Sequence, residues 1–215
     1  MKNNEKAELI LIRHAETNHN ANGRFQGHLD ADLSARGHVQ AAELAQRFHP
    51  KKITALYSSD LQRTLQTAQP VAAATGLEIF PDPHLRERNV GIFADHTLDE
   101  IKMKYPHDFD RFMQHDPDYC IPEGESSKEM QARVINAFEA IAQRHLGERI
   151  AVVTHGGPIM ALFRHVLQIP PIYPRRFSNH NTSLNVFRYY QTHWQVVTWG
   201  DIAHLQSDLS PALDI

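Results

Sequence analysis

Two adjacent side chains, Arg13 and His14, have the residue types needed for chemistry on an anion. They follow four apolar residues, 9–12, which predict a buried strand of a parallel α/β sheet. Binding sites in such sheets form at the carboxyl ends of the strands. A guanidinium beside an imidazole at a strand end therefore predicts an anion site that contains a nucleophile or an acid/base.

Two further predicted strands lead into residues of the same kind. One is followed by Arg63, and another runs directly into His155. Two guanidiniums hold a phosphate in bidentate fashion, one neutral imidazole attacks phosphorus, and a second stabilises the equatorial oxygens. The leaving alkoxide needs a proton, for which Glu87 is the first candidate and Glu16 its rival. These groups form one site only if the three strands are neighbours.

The elements that must position these residues are predicted from apolar periodicity. Strand patterns cover residues 8–13, 55–58, 78–80, 150–154, 183–188 and 195–199. Helical stripes cover residues 34–48, 60–75, 127–145 and 158–167. Ser126 and Glu129 predict a capping box before the third helix, and Pro70 predicts a kink or a break in the second.

Strands that alternate with helices predict the α/β class, as a three-layer α/β/α sandwich with a mostly parallel sheet. The last two strands are joined only by a short polar turn, 189–193, which predicts an antiparallel C-terminal hairpin. No break in composition divides the chain, so residues 1–215 are predicted to form one domain. Its subregion at about 85–126 is rich in aromatic, charged and proline residues and is expected to cover the carboxyl edge of the sheet.

Composition limits the classes of function. The 215 residues suffice for one well-buried core, and a net charge of −3 creates no cationic field for nucleic acid. No apolar run has the length of a membrane span, and a single cysteine, Cys120, fits a reducing compartment, so a cytoplasmic location is expected.

His19 and His28 lack the spacing of a helical zinc pair and are predicted to be exposed loop residues, so neither a metal nor a cofactor is expected. The oligomeric state is left open.

These residues belong to an ordered set of motifs that resembles the histidine phosphatase superfamily, in its phosphoglycerate-mutase-like branch. The family signature Arg-His-Gly-Glu-Thr, followed by Asn, corresponds to residues 13–17 and Asn20. Later family blocks correspond to Gln26-Gly27, Asp30, Leu33-Ser34, Gly37, residues 58–64, Leu85-Arg86-Glu87, Gly124-Glu125-Ser126 and Thr154-His155-Gly156-Gly157. Each block is weak alone, but the ordered set from about residue 8 to about residue 205 is specific.

The resemblance implies a role for each matched residue. His14 would be the nucleophile that becomes phosphorylated, and Glu87 would protonate the leaving oxygen and then activate water. The phosphoryl group would be held by Arg13, Arg63, His155, Asn20 and the backbone N–H of Gly156. Such a site needs no metal, because phosphoryl transfer depends mainly on positioning and charge neutralisation. Two positions depart from the family pattern: Ala15 replaces the commoner Gly, and His19 stands where Trp is frequent.

Four further residues are candidate substrate contacts. Arg24 and Arg88 flank matched blocks, and a cation beside the acid would suit a substrate that carries a second negative group. Gln26 and Gly27 belong to a matched block and complete the set. The alternative for Arg24 and Arg88 is simple surface exposure. The pair Arg175-Arg176 is interpreted as a solvated basic turn and not as a second anion site.

Three functions are open. The first is a phosphomonoester hydrolase acting on a small phosphorylated metabolite through phospho-His14. The second is a phosphoglycerate mutase, which is disfavoured because Gly157 stands where cofactor-dependent mutases often have Asn, and because the segment 87–155 is short. The pair Glu87-Arg88, however, resembles that of mutases. The third is a catalytically silent protein that binds a phosphorylated ligand, which is disfavoured because every catalytic residue type is present.

Overall fold

A mixed sheet forms the centre of the protein, with the strand order β3-β2-β4-β1-β5-β6. The structure is a computed structural model that describes residues 6–48, 53–170, 172–173 and 176–205. Its strands are β1 (Ala7–Arg13), β2 (Ala55–Ser58), β3 (Ile79–Pro81), β4 (Arg149–Thr154), β5 (Leu184–Tyr189) and β6 (Trp194–Asp201). All of them match predicted strands to within a few residues.

The sheet directions confirm the predicted topology. Strands β1 to β4 pair in parallel, whereas β5 runs antiparallel to β1 and forms a hairpin with β6. Because β4 lies between β2 and β1, the three strands that lead into the candidate chemical residues are neighbours. The condition for one shared site is therefore met.

Helices follow most of the parallel strands, as the sequence predicts. They are α1 (Asn18–Ala21), α2 (Ala35–Ala45), α3 (Gln62–Thr75), α4 (Leu98–Lys104), α5 (Pro106–Met113), α6 (Ser127–Arg144) and α7 (Gly156–Leu167). The capping box at the start of α6 is present, since Ser126 accepts from Glu129 N–H and the Glu129 carboxylate accepts from Ser126 N–H. No helix in the described ranges is both long and apolar enough to cross a bilayer.

Pro70 was expected to kink or break helix α3, and the structure shows no break. The helix continues through Pro70 to Thr75, although the proline has no N–H to donate. Ala68 and Val71 on either side of it are fully buried against the sheet. Burial of this face outweighs the loss of one backbone hydrogen bond, so the helix is not split.

The three layers follow from the alternation of side chains along β1. Ile10 and Ile12 point to the face covered by α2 and α3, where they pack with Leu44 and Val71. Leu9 and Leu11 point to the opposite face, which is covered by α6 and α7; Val134, Phe138, Ile159 and Leu162 pack there. The sheet is thus buried on both faces, as expected for an α/β/α sandwich.

The covering subregion is made of two 3₁₀ turns (Pro83–Leu85 and Gly91–Phe93) and the short helices α4 and α5. Its core is a small cluster of its own, formed by Phe25, Val90, Phe93, Ile101, Tyr119 and Ile121. The Phe93 ring packs edge-on against Phe112 at 5.6 Å between centroids. This cluster is distinct from the two clusters that pack on the faces of the sheet, so the covering subregion has a small core of its own.

Candidate active site

The three strand ends meet at one edge of the sheet. The His14 N–H donates to the Thr154 carbonyl at 2.9 Å, and the Ser59 N–H donates to the Val153 carbonyl at 2.9 Å. The rings of His14 and His155 lie edge to face with their centroids 5.3 Å apart. The backbone register of β1, β4 and β2 therefore brings the two imidazoles together.

The protonation of His14 is fixed by its own backbone neighbour. Its Nδ1 lies 2.7 Å from the Ala15 carbonyl, which only accepts, so Nδ1 carries the hydrogen and Nε2 keeps its lone pair. The ring is 4% exposed. Burial, together with the nearby charges of Arg63 and Arg13, lowers the His14 pKa well below its ordinary value. A neutral imidazole with a free Nε2 has the form of a nucleophile.

His155 lies behind the nucleophile and is fully buried. Its Nδ1 accepts from Arg63 Nε at 3.2 Å, which leaves the hydrogen on Nε2, and Nε2 donates to Ser59 Oγ at 2.9 Å. Burial and then the charge of Arg63 lower the His155 pKa well below its ordinary value. Both ring nitrogens thus contact protein groups, so this imidazole holds Arg63 in place.

Arg63 is the most enclosed cation of the site, with 1% of its surface exposed. Besides His155, it donates to the carbonyls of Gly27 and Leu29, each at 2.8 Å. Burial lowers its pKa to about 10, so it keeps its charge at neutral pH. Three of its five N–H groups are used for these contacts, and two are left to bind a ligand.

A polar loop before β5 supports the end of β1, and sequence reasoning missed it. Arg13 donates to the Asn179 carbonyl, and Asn181 Nδ2 donates to the His14 carbonyl at 2.7 Å. Thr182 N–H donates to the Arg13 carbonyl at 2.9 Å. The signal in the sequence is the polar run Asn-His-Asn-Thr-Ser (179–183), which directly precedes a predicted strand.

The carboxylate of Glu87 is seated on the first turn of α7. Oε2 accepts from Gly157 N–H at 3.0 Å, and Oε1 accepts from Arg88 N–H at 2.8 Å. The Glu87 backbone is held by Arg133, whose guanidinium donates to the carbonyls of Arg86 and Glu87 at 3.0 and 3.2 Å. The Glu87 side chain is thus placed by a helix N-terminus and by a partly buried arginine, Arg133, which no local sequence pattern singles out.

The rival acid, Glu16, is occupied elsewhere. Its Oε1 accepts from Ser34 Oγ at 2.7 Å, and Arg36 lies 3.7 Å from its other oxygen. Glu16 is not among the described residues that line the cavity in front of His14, whereas Glu87 is. The geometry favours Glu87 as the acid.

A cavity of about 530 Å³ opens in front of the nucleophile. Every site residue predicted from the sequence lines it except His155; these are Arg13, His14, Asn20, Arg24, Gln26, Gly27, Arg63, Glu87, Arg88 and Gly156. The outer part is lined by residues that were not predicted, which include Met113, Met160, Arg164 and Tyr173. The Gly156 N–H is at the first position of α7, where helix N–H groups lack intrahelical partners and suit a phosphate.

Asn20 and Gln26 contact Thr17, which lies three residues after His14, and Gly27 contacts Arg63. Asn20 Oδ1 accepts from Thr17 N–H at 3.2 Å within the capping box of α1, which engages only the oxygen of its amide. Gln26 Oε1 accepts from Thr17 Oγ1 at 3.0 Å. Gly27 contributes its carbonyl to Arg63 and has a φ of 54°; a Cβ there would lie 2.9 Å from the backbone nitrogen of Val90. Gly27 thus helps to position Arg63.

The two arginines predicted as substrate contacts, Arg24 and Arg88, differ in their ion pairing. Arg24 makes a bidentate ion pair with Glu100 at 2.8 and 2.9 Å. Arg88 donates to the carbonyls of Glu125 and Tyr119 at 2.9 and 3.1 Å, and no carboxylate of the described residues forms an ion pair with it. Burial lowers the Arg88 pKa, and the charges of Glu125 and Glu87 partly oppose this effect. Of Arg24 and Arg88, Arg88 is the one that is not held in an ion pair with a carboxylate of the described residues.

The structure also shows where other residues discussed in the sequence lie. His19 and His28 are not exposed loop residues, since His19 lies in α1 with Asp95 3.3 Å away, and His28 Nε2 donates to the Glu87 carbonyl at 2.8 Å. Among the residues described, no group of three or more His, Cys, Asp or Glu side chains is arranged to hold a metal ion. Of the basic pair, Arg175 lies outside the described residues, and Arg176 is exposed.

Comparisons with known proteins agree with this geometry. A phosphoglycerate mutase-like protein 4 of Arabidopsis thaliana is 39% identical over 93% of this chain and 87% of its own length. A metal-independent phosphoserine phosphatase of the same plant is 36% identical over 94% and 85%, respectively. The solved structure of Bacillus stearothermophilus YhfR superimposes with a TM-score of 0.84 at 31% identity, covering 92% of this chain and 98% of that one.

The family assignment rests on a sequence match that covers almost the whole chain. The sequence profile of branch 1 of the histidine phosphatase superfamily matches residues 9–202, from within β1 to just beyond β6. That range contains His14, His155, Arg13, Arg63 and Glu87. The chain therefore belongs to the histidine phosphatase superfamily, branch 1.

Proposed function

We propose that this protein is a phosphomonoester hydrolase that acts on small phosphorylated metabolites through a phosphohistidine at His14. The observation that carries the proposal is the state of the His14 ring. Its Nδ1–H is bound to the Ala15 carbonyl, and its Nε2 is unprotonated in a cavity that Arg13 and Arg63 also line. A nucleophile and two cations at one strand edge are what transfer of a phosphoryl group requires.

The reaction follows in two steps. In the first, His14 Nε2 attacks phosphorus, the P–O bond to the substrate breaks, and Glu87 gives its proton to the leaving oxygen. In the second, Glu87 takes a proton from water as the water attacks phosphorus, and the N–P bond breaks to release phosphate. The guanidiniums of Arg13 and Arg63, the Asn20 amide and the Gly156 N–H neutralise the phosphoryl oxygens throughout. His155 acts by holding Arg63.

Access of water supports hydrolysis over the mutase alternative. A mutase must protect its phosphohistidine from water until the phosphoryl group returns to a substrate. Here the cavity reaches the surface between Met113 and Tyr173, which are 46% and 59% exposed. The relatives include proteins named for each activity, so the assay below measures both.

Arg88 supports a substrate with a second negative group. Its guanidinium lies beside the acid, borders the cavity and has no carboxylate partner among the described residues, whereas the charge of Arg24 is neutralised by Glu100. Glu125 and Glu87 act on this charge without an ion-pair contact, and a carboxylate on the substrate would supply a direct one. We also place the protein in the cytoplasm, on the ground that Cys120 is a free, exposed thiol.

The decisive experiment is phosphate release in the presence of a chelator, from 4-nitrophenyl phosphate and a panel of phosphorylated metabolites. Wild type is compared with His14→Ala and with the control His193→Ala, whose ring is exposed in the turn between β5 and β6. We expect release by wild type and His193→Ala, and none by His14→Ala. Interconversion of phosphoglycerates without release would establish the mutase, and equal release by all three proteins would refute the proposal.

A further inference from the structure

Gly157, the second residue of α7, is in close contact with the acid. A Cβ built on Gly157 would lie 2.1 Å from Glu87 Oε1 and 3.1 Å from Glu87 Cδ. The Gly157 N–H also donates to Glu87 Oε2 at 3.0 Å. The space that a side chain at this position would fill is therefore taken by the carboxylate.

At Gly157 a side chain would collide with another side chain, whereas at Gly37 and Gly91 it would collide with the backbone. A Cβ on Gly37 or Gly91 would lie 2.0 or 1.9 Å from a backbone oxygen, so the fold itself excludes a side chain there. At neighbouring Gly156, a Cβ would make only ordinary contacts, at 3.7 Å or more. At Gly157 the three nearest atoms all belong to the Glu87 carboxylate, which is the end of a flexible side chain.

We propose that Gly157 is a positioning residue for the acid, and that its missing side chain is what allows Glu87 to sit on the first turn of α7. An added methyl group would move the carboxylate and leave the backbone in place. Glu87 would then lose one or both of its N–H donors, at Gly157 and Arg88. This inference rests on the proposed function, because it assigns Gly157 to the proton-transfer step of that reaction.

Displacement of the acid has a specific kinetic signature. An error of about 1 Å in the position of a reacting group reduces rates by about 10²-fold. In the first step, which kcat/KM reports, the loss falls on substrates whose leaving oxygen needs a proton, such as phosphoserine. It is much smaller for 4-nitrophenyl phosphate, whose leaving group departs as a stable anion. A general disturbance of the phosphate-binding site would slow both substrates alike.

The test is a double-mutant cycle with both substrates, using wild type, Gly157→Ala, Glu87→Gln and the double variant. We expect Gly157→Ala to lower kcat/KM for phosphoserine by about 10²-fold, with a much smaller loss of kcat/KM for 4-nitrophenyl phosphate. This ratio reports formation of the phosphohistidine and not its hydrolysis, which is common to both substrates. Because Gly157 acts through Glu87, the double variant should be no slower than Glu87→Gln alone. Multiplied effects in the double variant, or equal losses for both substrates, would overturn the proposal.

Two further measurements separate positioning from structure. Gly157→Ala should keep the far-ultraviolet circular dichroism of wild type, because only the carboxylate gives way, and a changed spectrum would contradict the inference. A lower melting temperature does not discriminate, because residue 157 precedes Pro158 in the helix and the carboxylate loses N–H donors. Gly156→Ala is the comparator, and its effect should be the same for both substrates, since its Cβ does not reach Glu87. Wild-type turnover of 4-nitrophenyl phosphate that is lost in His14→Ala tests the proposed function separately, so the two failures are distinguishable.

Discussion

The two buried imidazoles at the strand edge predict a defined sensitivity of the fold to acid. Burial and the neighbouring guanidiniums keep the pKa values of His14 and His155 well below 6.5 in the folded protein. In the unfolded chain each titrates near 6.5. The unfolded state therefore binds more protons below this pH, so the stability that the neutral rings contribute is complete above about pH 6.5 and is lost as the pH falls.

The size of the effect follows from linkage. Between pH 7.5 and 5.5 each histidine that stays neutral in the folded state lowers the free energy of unfolding by about 1.4 kcal/mol. The pair accounts for about 2.7 kcal/mol, a large fraction of the stability of an ordinary domain. His204, whose pKa burial lowers to about 4, adds a further loss of the same sign.

The assay is urea unfolding at pH 7.5 and 5.5 of wild type, His14→Gln, His155→Gln and the double variant. Each single substitution should reduce the pH-dependent loss by about 1.4 kcal/mol and the double variant by about 2.7 kcal/mol, whatever its effect at pH 7.5. Asn20→Ala removes no titrating group and should keep the wild-type pH dependence. An equal pH dependence in wild type and the double variant would show that the folded protein protonates these rings, and would refute the reasoning.

Three further predictions follow from the contacts of the cavity. Glu87→Gln should lower kcat/KM for phosphoserine by about 10²–10⁴-fold and for 4-nitrophenyl phosphate much less, whereas Glu16→Gln should leave the ratio of the two kcat/KM values at that of wild type; both are read from steady-state kinetics. Arg88→Met should raise KM about 10–100-fold for phosphorylated carboxylates, with a smaller change for substrates that lack a carboxylate and for Arg24→Met. Asn181→Ala should lower the free energy of unfolding by about 1–3 kcal/mol, because a buried carbonyl loses its donor; an unchanged urea midpoint would contradict this.

The residues at the strand ends were predictable because the relevant signals are local. An apolar run that stops at Arg13-His14, or at Thr154-His155, shows where a strand ends. Parallel order then brings such ends to one edge. For the same reason the helix stripes, the capping box at Ser126 and the C-terminal hairpin were all confirmed.

What the sequence did not show depends on contacts between distant parts of the chain. The seat of the Glu87 carboxylate on α7 joins residues 70 positions apart. The orientation of His155, with both nitrogens committed to Ser59 and Arg63, is likewise decided by packing and not by any local pattern. Pro70 shows the converse, since its local rule was overruled by burial of the helix face.

The reversed direction of β5 has a consequence for how activity arises during biosynthesis. Because β5 runs antiparallel to β1, the loop before it lies beside the residues that follow β1, and Asn181 reaches His14 across 167 positions of sequence. A ribosome delivers the nucleophile roughly ten to thirty seconds before its support, at common elongation rates. A nascent chain that stops short of this loop contains His14, Arg13, Arg63 and Glu87, yet it lacks the residues that hold His14 and Arg13 in place. We therefore expect activity to arise only after translation has passed this loop and the loop has docked beside β1.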